Sequence, residues 1–201
     1  MPEFLNLTQE ESGQIFELTE VVANKLELTK YQVVDSDYQQ KLMNLYKSGL
    51  EMILNKEIVI DELGAGSYGK VYKISVENCK PFVIKFFYSN AGGNPQCGPL
   101  AEIPLAIFTN KHFPEHFAKF YFGKIPFKEG ENGFMVSEFL TPSPEGKFPK
   151  LQDEKWKYFY GDGFGWNDPR GNIIGGKICD FGCVKIIDKS NNAKSSFKLF
   201  K

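Results

Sequence analysis

The chain has 201 residues, enough for one sizeable core with an appended element but cramped for two full domains. Its formal net charge is −1 and Arg170 is its one arginine, which excludes the basic field and the set of guanidinium groups that hold nucleic acid. No apolar run reaches the ~18 residues of a membrane-spanning helix, and the 4 cysteines are too few for a disulfide scaffold and indicate a reducing compartment.

Residues 1–55 have apolar side chains three or four positions apart, the spacing of helices. Thr8 and Glu11 have the form of a capping box, and Asp35 or Ser36 can cap a second helix. Two interpretations remain open for this segment. The favoured one is a helical pair packed on the core, and the other is a partner-docking or delivery element.

From residue 57 the apolar period changes from that of helices to that of strands. A three-stranded meander is predicted from the runs EIVIDEL, GKVYKISV and KPFVIKFFY. A helix is predicted next in AEIPLAIFTNKHF, with Pro104 in its first turn, where a missing N–H costs little. A hairpin is predicted from HFAKFYFGKIPF and GFMVSEFL, which KEGENG joins.

The first motif that carries chemistry is GAGSYGKV at residues 64–71, with glycines at Gly64, Gly66 and Gly69. A strand follows these glycines, whereas a dinucleotide-binding turn leads into a helix. We therefore predict a hairpin turn whose backbone N–H groups can lie over phosphates.

The second motif pairs Lys85 with Glu102. Lys85 stands in FVIKFF and shares a strand face with Val83 and Phe87, and an ammonium buried there needs an anion. It is either a phosphate-binding lysine held by a carboxylate or a snorkelling lysine at a strand edge. Glu102 is the candidate carboxylate, and its alternative role is to complement the dipole of the helix in which it stands.

The third constellation comprises Asp162, Asn167 and Asp180. Short strands in NIIGG and KICD flank a Gly-Gly turn, and a hairpin of that length brings Asn167 and Asp180 to the same end. A carboxylate and an amide oxygen meeting there suit Mg²⁺. Asp162 would stand nearby without binding the metal, free to accept a proton from an attacking hydroxyl.

Two further sets of metal-ligating side chains are weaker candidates. His112 and His116 have a spacing that suits zinc, but Pro114 disrupts a helix there and no other ligand completes the set. Cys179 and Cys183 bracket Asp180, and small apolar filler is the favoured role for both.

Taken in order, these motifs resemble the protein-kinase family. GAGSYGKV matches its Gly-rich loop, VIK its third-strand lysine motif, Glu102 its helix-C glutamate, and FMVSEFL at 134–140 its fifth strand and hinge. YGDGFGWN at 160–167 stands where the catalytic loop H-R-D-x-x-x-x-N belongs, and DFG at 180–182 is intact. The resemblance implies an α+β protein with a minimal, atypical kinase fold. Its parts are a helical extension at 1–55, an N-lobe at 56–140 with a five-stranded antiparallel sheet and one helix, and a strongly reduced C-lobe at 141–201.

The chain departs from the family at Tyr160-Gly161, which replaces the His-Arg before the catalytic Asp, so control by loop phosphorylation is not expected. Only about twenty residues separate the hinge from Asp162, and no Ala-Pro-Glu motif follows DFG. This short layout resembles the minimal kinase effectors that bacteria deliver into host cells by type III secretion, a group that includes a Hop-family effector kinase.

The resemblance implies an ATP-dependent protein Ser/Thr kinase that uses ATP and Mg²⁺. It implies a monomer in the host cytosol that inactivates a folded host protein such as the ninety-kilodalton heat-shock chaperone, with no nucleic-acid or membrane partner. A pseudokinase scaffold and a small-molecule phosphotransferase are the alternatives.

The resemblance also implies the site residues. The implied catalytic residues are Asp162 and Lys85, and the implied metal ligands are Asn167 and Asp180. The implied ATP-binding residues are Gly64, Gly66, Ser67, Gly69, Val71, Lys85, Glu102, Glu138 and Leu140.

Overall fold

The computed structural model describes residues 5–26, 28, 35–66, 68–88, 98–126, 131–141, 164–166, 173–179, 181 and 184–186. The chain divides into two compact units. The first unit comprises Met1–Gly93 and Tyr121–Phe139, and the second comprises Asn94–Phe120 and Leu140–Lys201.

Two helices open the first unit, as predicted. Helix α1, Gln9–Lys25, begins with the capping box in which the Thr8 side chain accepts from the Glu11 N–H and the Glu11 carboxylate accepts from the Thr8 N–H. Helix α2, Ser36–Leu54, has Asp35 as its N-cap, whose carboxylate accepts from the N–H groups two and three residues further on. Asp35 is therefore the cap, and Ser36 is the first helical residue.

A five-stranded antiparallel sheet follows in the order β1-β2-β3-β5-β4. The predicted meander is confirmed as β1 to β3, and the predicted hairpin supplies β4 and β5. The strands are β1 Ile58–Ala65, β2 Gly69–Val76, β3 Phe82–Phe87, β4 Phe120–Lys124 and β5 Phe134–Glu138.

The helical pair covers one face of this sheet. Tyr46 of α2 meets Phe86 edge-on with ring centres 6.2 Å apart, and Phe16 of α1 lies 5.3 Å from Phe134. We call the side of the sheet that packs against α1 and α2 the helix face. Its side chains are buried in one core with the two helices and include Ile58, Tyr72, Ile74, Phe82, Ile84, Phe86, Phe134 and Val136. The side chains that alternate to the other side form the lysine face, defined by Val71, Lys73, Val83, Lys85, Met135 and Ser137.

Polar contacts join the helices to each other and to the sheet. The Thr19 hydroxyl hydrogen-bonds the Tyr46 hydroxyl at 2.7 Å inside the core. The buried Asn132 side chain, just before β5, donates to the carbonyl of Ala23 at 2.8 Å and to that of Leu26 at 3.1 Å, satisfying oxygens at the end of α1. Residues 1–55 thus include a helical pair packed on the core, and a partner-docking or delivery role for them stays a hypothesis.

Helix α3, Pro99–His112, belongs to the second unit and follows β3 in the chain. It begins earlier than predicted, because Pro99 takes the first helical position and Gly98 caps it with a φ of 73°. The prediction that Pro104 lies in the first turn is therefore wrong, and this proline lies within the helix. No helix among the described residues is long and apolar enough to cross a membrane.

Two small strand pairs stand among the described residues of the second unit. The predicted hairpin is confirmed as β7, Ile173–Ile174, and β8, Lys177–Ile178. Gly175 and Gly176 form its turn with φ values of 57° and 81°, which glycine adopts without strain. Strand β6, Phe164–Trp166, pairs antiparallel with β9, Val184–Ile186.

Candidate functional site

The glycine-rich turn joins β1 to β2. A bulge lies between Glu62 and Gly64 on β1, and the Gly66 N–H donates to the Gly69 carbonyl at 2.9 Å. A Cβ at Gly69 would lie 2.2 Å from the carbonyl oxygen of Phe86, so the close approach of β2 and β3 requires glycine there. The turn is a strand-to-strand hairpin, as predicted. Ser67 lies outside the described residues.

Lys85 stands at the centre of the lysine face. It lies opposite Val71 on β2 and opposite Met135 on β5, so one row of side chains crosses three strands. Its ammonium nitrogen lies 5.3 Å from the centre of the Phe87 ring, at cation–π distance. Lys85 is half-buried, and its strand is a central one of the described sheet, not an edge strand.

A second row runs beside the first one. Val83 lies between Lys73 on β2 and Ser137 on β5, and the Lys73 ammonium lies 4.8 Å from the centre of the Phe139 ring. The lysine face therefore presents two ammonium groups around the apolar side chains of Val71 and Val83. A face of this kind suits a ligand that has both an apolar ring and negative charge.

The predicted hinge follows β5. Glu138 is the last residue of β5 and pairs with Phe82, which places its side chain on the helix side of the sheet. The chain passes from the first unit to the second between Phe139 and Leu140. Leu140 is buried.

Glu102 stands in the first turn of α3 and is only 1% exposed. Complementing the helix dipole does not require burial, because exposed carboxylates do so equally well. A carboxyl group this deep needs hydrogen bonds or a charge to compensate for lost water. Its role as the carboxylate that holds Lys85 stays a prediction.

Phe181, the middle residue of DFG, is packed inside the second unit. The Phe181 ring is 1% exposed and stacks on Phe117, with ring centres 5.9 Å apart and planes 15° from parallel. Two backbone hydrogen bonds flank this stack: Ala118 N–H donates to the Ile178 carbonyl, and Ile178 N–H donates to the His116 carbonyl. Sequence reasoning missed Phe117, because nothing local to KHFPEHF indicates a ring partner more than sixty residues away.

The three acidic and amide residues of the third constellation, Asp162, Asn167 and Asp180, lie outside the described residues. Their described neighbours are strand β6, which ends just before Asn167, and strand β9, which begins shortly after DFG. The pairing of Trp166 with Val184 brings those two segments of chain together.

The described part of the chain contains no group of three or more His, Cys, Asp or Glu side chains placed to hold a metal ion. The zinc alternative at His112 and His116 gains no support from the geometry, since the His112 ring packs 4.6 Å from the Phe108 ring. Cys179 forms no disulfide with another described residue, and Cys183 falls outside the described residues.

Tyrosines gather behind the glycine-rich turn, on the helix face. Burial, followed by the charge of Glu62, raises the pKa of Tyr72 to about 12. The same two causes raise the pKa of Tyr88, against the opposing charge of Lys85. Both phenols therefore stay neutral at physiological pH.

No protein-family model matches the chain, and no curated protein matches it.

Proposed function

We propose that this protein is an ATP-dependent protein Ser/Thr kinase with a minimal fold. One observation carries the proposal: the glycine-rich turn and Lys85 occupy adjacent strands of one antiparallel sheet, and the next helix in the chain carries the buried Glu102. Protein kinases use this arrangement, with a glycine-rich hairpin over the phosphates, a lysine on the third strand and a glutamate on the following helix.

The lysine face fits a nucleotide by its chemistry. Backbone N–H groups of the turn would donate to the triphosphate, and glycine lets the main chain come close. The Lys85 ammonium would bind the α- and β-phosphates, and Glu102 would hold that ammonium in place. Val71 would cover the adenine, whose polar edge would meet backbone groups from Glu138 to Leu140, because an apolar wall with few polar groups typifies such pockets.

The proposed metal site rests on donor chemistry alone. Asp180 and Asn167 offer a carboxylate and an amide oxygen, and Mg²⁺ prefers one or two such ligands together with substrate phosphates. When bound, the ion would neutralise charge on the phosphates. Asp162 would orient the acceptor hydroxyl and accept its proton, and the protein would contribute mainly positioning.

We propose a folded host protein as the substrate, with the ninety-kilodalton heat-shock chaperone as the first candidate and the host cytosol as the location, reached by bacterial secretion. The support is the short stretch of about twenty residues between Leu140 and Asp162. That length leaves little room for a groove that binds a linear peptide. A protein recognised through its folded surface would not need one.

A transfer assay tests the proposal. The purified chain, with Mg²⁺ and γ-labelled ATP, is added to a eukaryotic cytosolic extract, alongside the variants Asp162→Ala and Asp180→Ala. Asp37→Ala, which removes an exposed carboxylate from the first turn of α2, is the matched control. We expect one dominant labelled protein with the wild type and the control, and none with the two variants.

Two results would count against it. Full labelling by both Asp162→Ala and Asp180→Ala would remove the assignment of the catalytic and metal residues. Nucleotide binding without any transfer by the wild type would favour the pseudokinase alternative.

A further inference from the structure

Lys70, the residue directly after the glycine-rich turn, links three elements of the first unit. It pairs with Ala65 across the hairpin and is half-buried. Its ammonium nitrogen lies 3.1 Å from Oε2 of Glu62 on β1 and 3.3 Å from Oε1 of Gln39 on α2. We call Gln39, Lys70 and Glu62 together the Lys70 bridge.

Helix α2 lies along β1 with its first turns near the glycine-rich turn. At its other end, Oε1 of Glu51 lies 3.5 Å from the N–H of Ile58, the first residue of β1. Near the beginning of α2, a groove of about 380 Å³ separates the helix from β1 and β2, with Met43 and Tyr72 among its lining residues. Gln39, Glu62 and Lys70 all line this groove, so the Lys70 bridge joins its α2 wall to its sheet wall.

The two sides of the glycine-rich turn are held differently. On the β2 side, Gly69 packs against the backbone of β3, and the Tyr88 N–H donates to the Tyr68 carbonyl at 2.9 Å. On the other side, β1 is an edge strand of the described sheet, and its bulge lies just before Gly64. An edge strand with a bulge is the less constrained half, and the bridge fastens its Glu62 to β2 and α2.

We infer that Lys70 is a positioning residue, which ties the glycine-rich turn to helix α2 and so fixes the distance of the turn from the lysine face. The effect on nucleotide binding rests on the proposed function. The effect on the turn itself does not. The N-terminal helical pair thereby acts on the site through a specific contact, in addition to burying the helix face.

The expected effect is local and modest. A half-exposed ion pair contributes little to global stability because water screens it. Loss of the bridge should therefore free the β1 side of the turn without unfolding the unit. A loose turn covers the phosphates for a smaller fraction of the time. Nucleotide binding should therefore weaken more than the rate of phosphoryl transfer at saturating nucleotide.

The test uses Lys70→Met and Gln39→Leu, which remove the two ends of the contact between β2 and α2 and keep their approximate size. Lys70→Arg is the conservative variant, because a guanidinium can still donate to both partners. Gln40→Leu is the matched control: Gln40 lines the same groove, and its side chain bonds Asn44 within α2 at 3.0 Å.

The first readout is amide hydrogen exchange of residues 62–66 without nucleotide, which does not depend on catalysis. We expect faster exchange there in Lys70→Met and Gln39→Leu, and wild-type exchange in Lys70→Arg and Gln40→Leu. The second readout is kinetic: the KM for ATP should rise about 3- to 5-fold in the first two variants, with kcat changed less, as a screened ion pair allows.

Unchanged exchange in both Lys70→Met and Gln39→Leu would overturn the inference, whatever the activity. Faster exchange throughout the first unit would also overturn it, since the bridge would then only stabilise the unit. Faster exchange confined to the turn, in a chain that transfers no phosphate, would support the inference while removing the proposed kinase function.

Discussion

Val71 and Lys85 lie directly opposite each other on β2 and β3, two residues beyond the glycine-rich turn. Side chains in directly opposed positions have Cβ atoms roughly 5 Å apart. The register of this single strand pair therefore sets the charged side chain of Lys85 beside the apolar side chain of Val71 in the candidate site.

If the proposed kinase function holds, replacing Lys85 with Met should lower phosphoryl transfer about 100-fold or more, as the loss of a charge-stabilising donor does in enzymes. Methionine retains the length of the side chain and removes its charge. Lys80→Met, at an exposed position in the turn between β2 and β3, is the control and should transfer at the wild-type rate. Initial rates at saturating ATP measure this, and wild-type activity in Lys85→Met would contradict the role of the ammonium.

Replacing Gly69 with Ala should destabilise the first unit by about 1–3 kcal/mol, as overpacking of a close contact does. The new Cβ would lie 2.2 Å from the Phe86 carbonyl oxygen, and backbone cannot move aside as a side-chain end can. At Gly66 the nearest atom to a new Cβ, the Gly69 carbonyl oxygen, is 4.0 Å away. Urea unfolding of Gly69→Ala and Gly66→Ala should therefore separate them, and equal midpoints would show that β2 can shift away from β3.

Local features of this fold were predictable from the sequence, and distant contacts were not. The Thr8 and Glu11 capping box and the Gly175-Gly176 turn involve residues at most three apart, so a short stretch of sequence contains every residue that forms them. The amide of Asn132 bonds carbonyls 106 and 109 residues earlier, which no local pattern reveals. Even a local rule failed at Pro104, because Pro99 fits the first helical position equally well.

The candidate site shows the same division. The strand period placed Lys85, Val83 and Phe87 on one face, since alternation depends only on neighbouring residues. The Lys70 bridge could not be predicted from the sequence, because Gln39 and Lys70 come together only when α2 packs along β1. The stacking of Phe117 on Phe181 likewise depends on how distant segments of the second unit meet.

Two leucines of α2 test whether the helical pair is part of the folded core. Leu50 is completely buried in the core with the helix face, whereas Leu45 on the same helix is 67% exposed. Leu50→Ala should lower the free energy of unfolding by about 2–5 kcal/mol. Leu45→Ala should change it by no more than about 0.5 kcal/mol. Similar losses at both positions, measured by urea unfolding, would mean that α2 does not hold this orientation.

Alkaline pH should destabilise the first unit through its buried tyrosines. Burial holds the pKa of Tyr72 at about 12 and raises that of Tyr46, whereas a phenol in the unfolded chain titrates near 10. Below pH 10 both states keep the proton, and the stabilisation is complete. Between pH 10 and about 12 only the unfolded chain releases it, so the free energy of unfolding should fall by about 1.4 kcal/mol per pH unit for each such tyrosine.

Urea unfolding from pH 9 to 11 should therefore show a shallower decline of the free energy of unfolding in Tyr72→Phe than in the wild type. Tyr38→Phe, at an exposed position, is the control. The same slope in Tyr72→Phe and the wild type would mean that Tyr72 ionises as readily in the folded protein as in the unfolded chain.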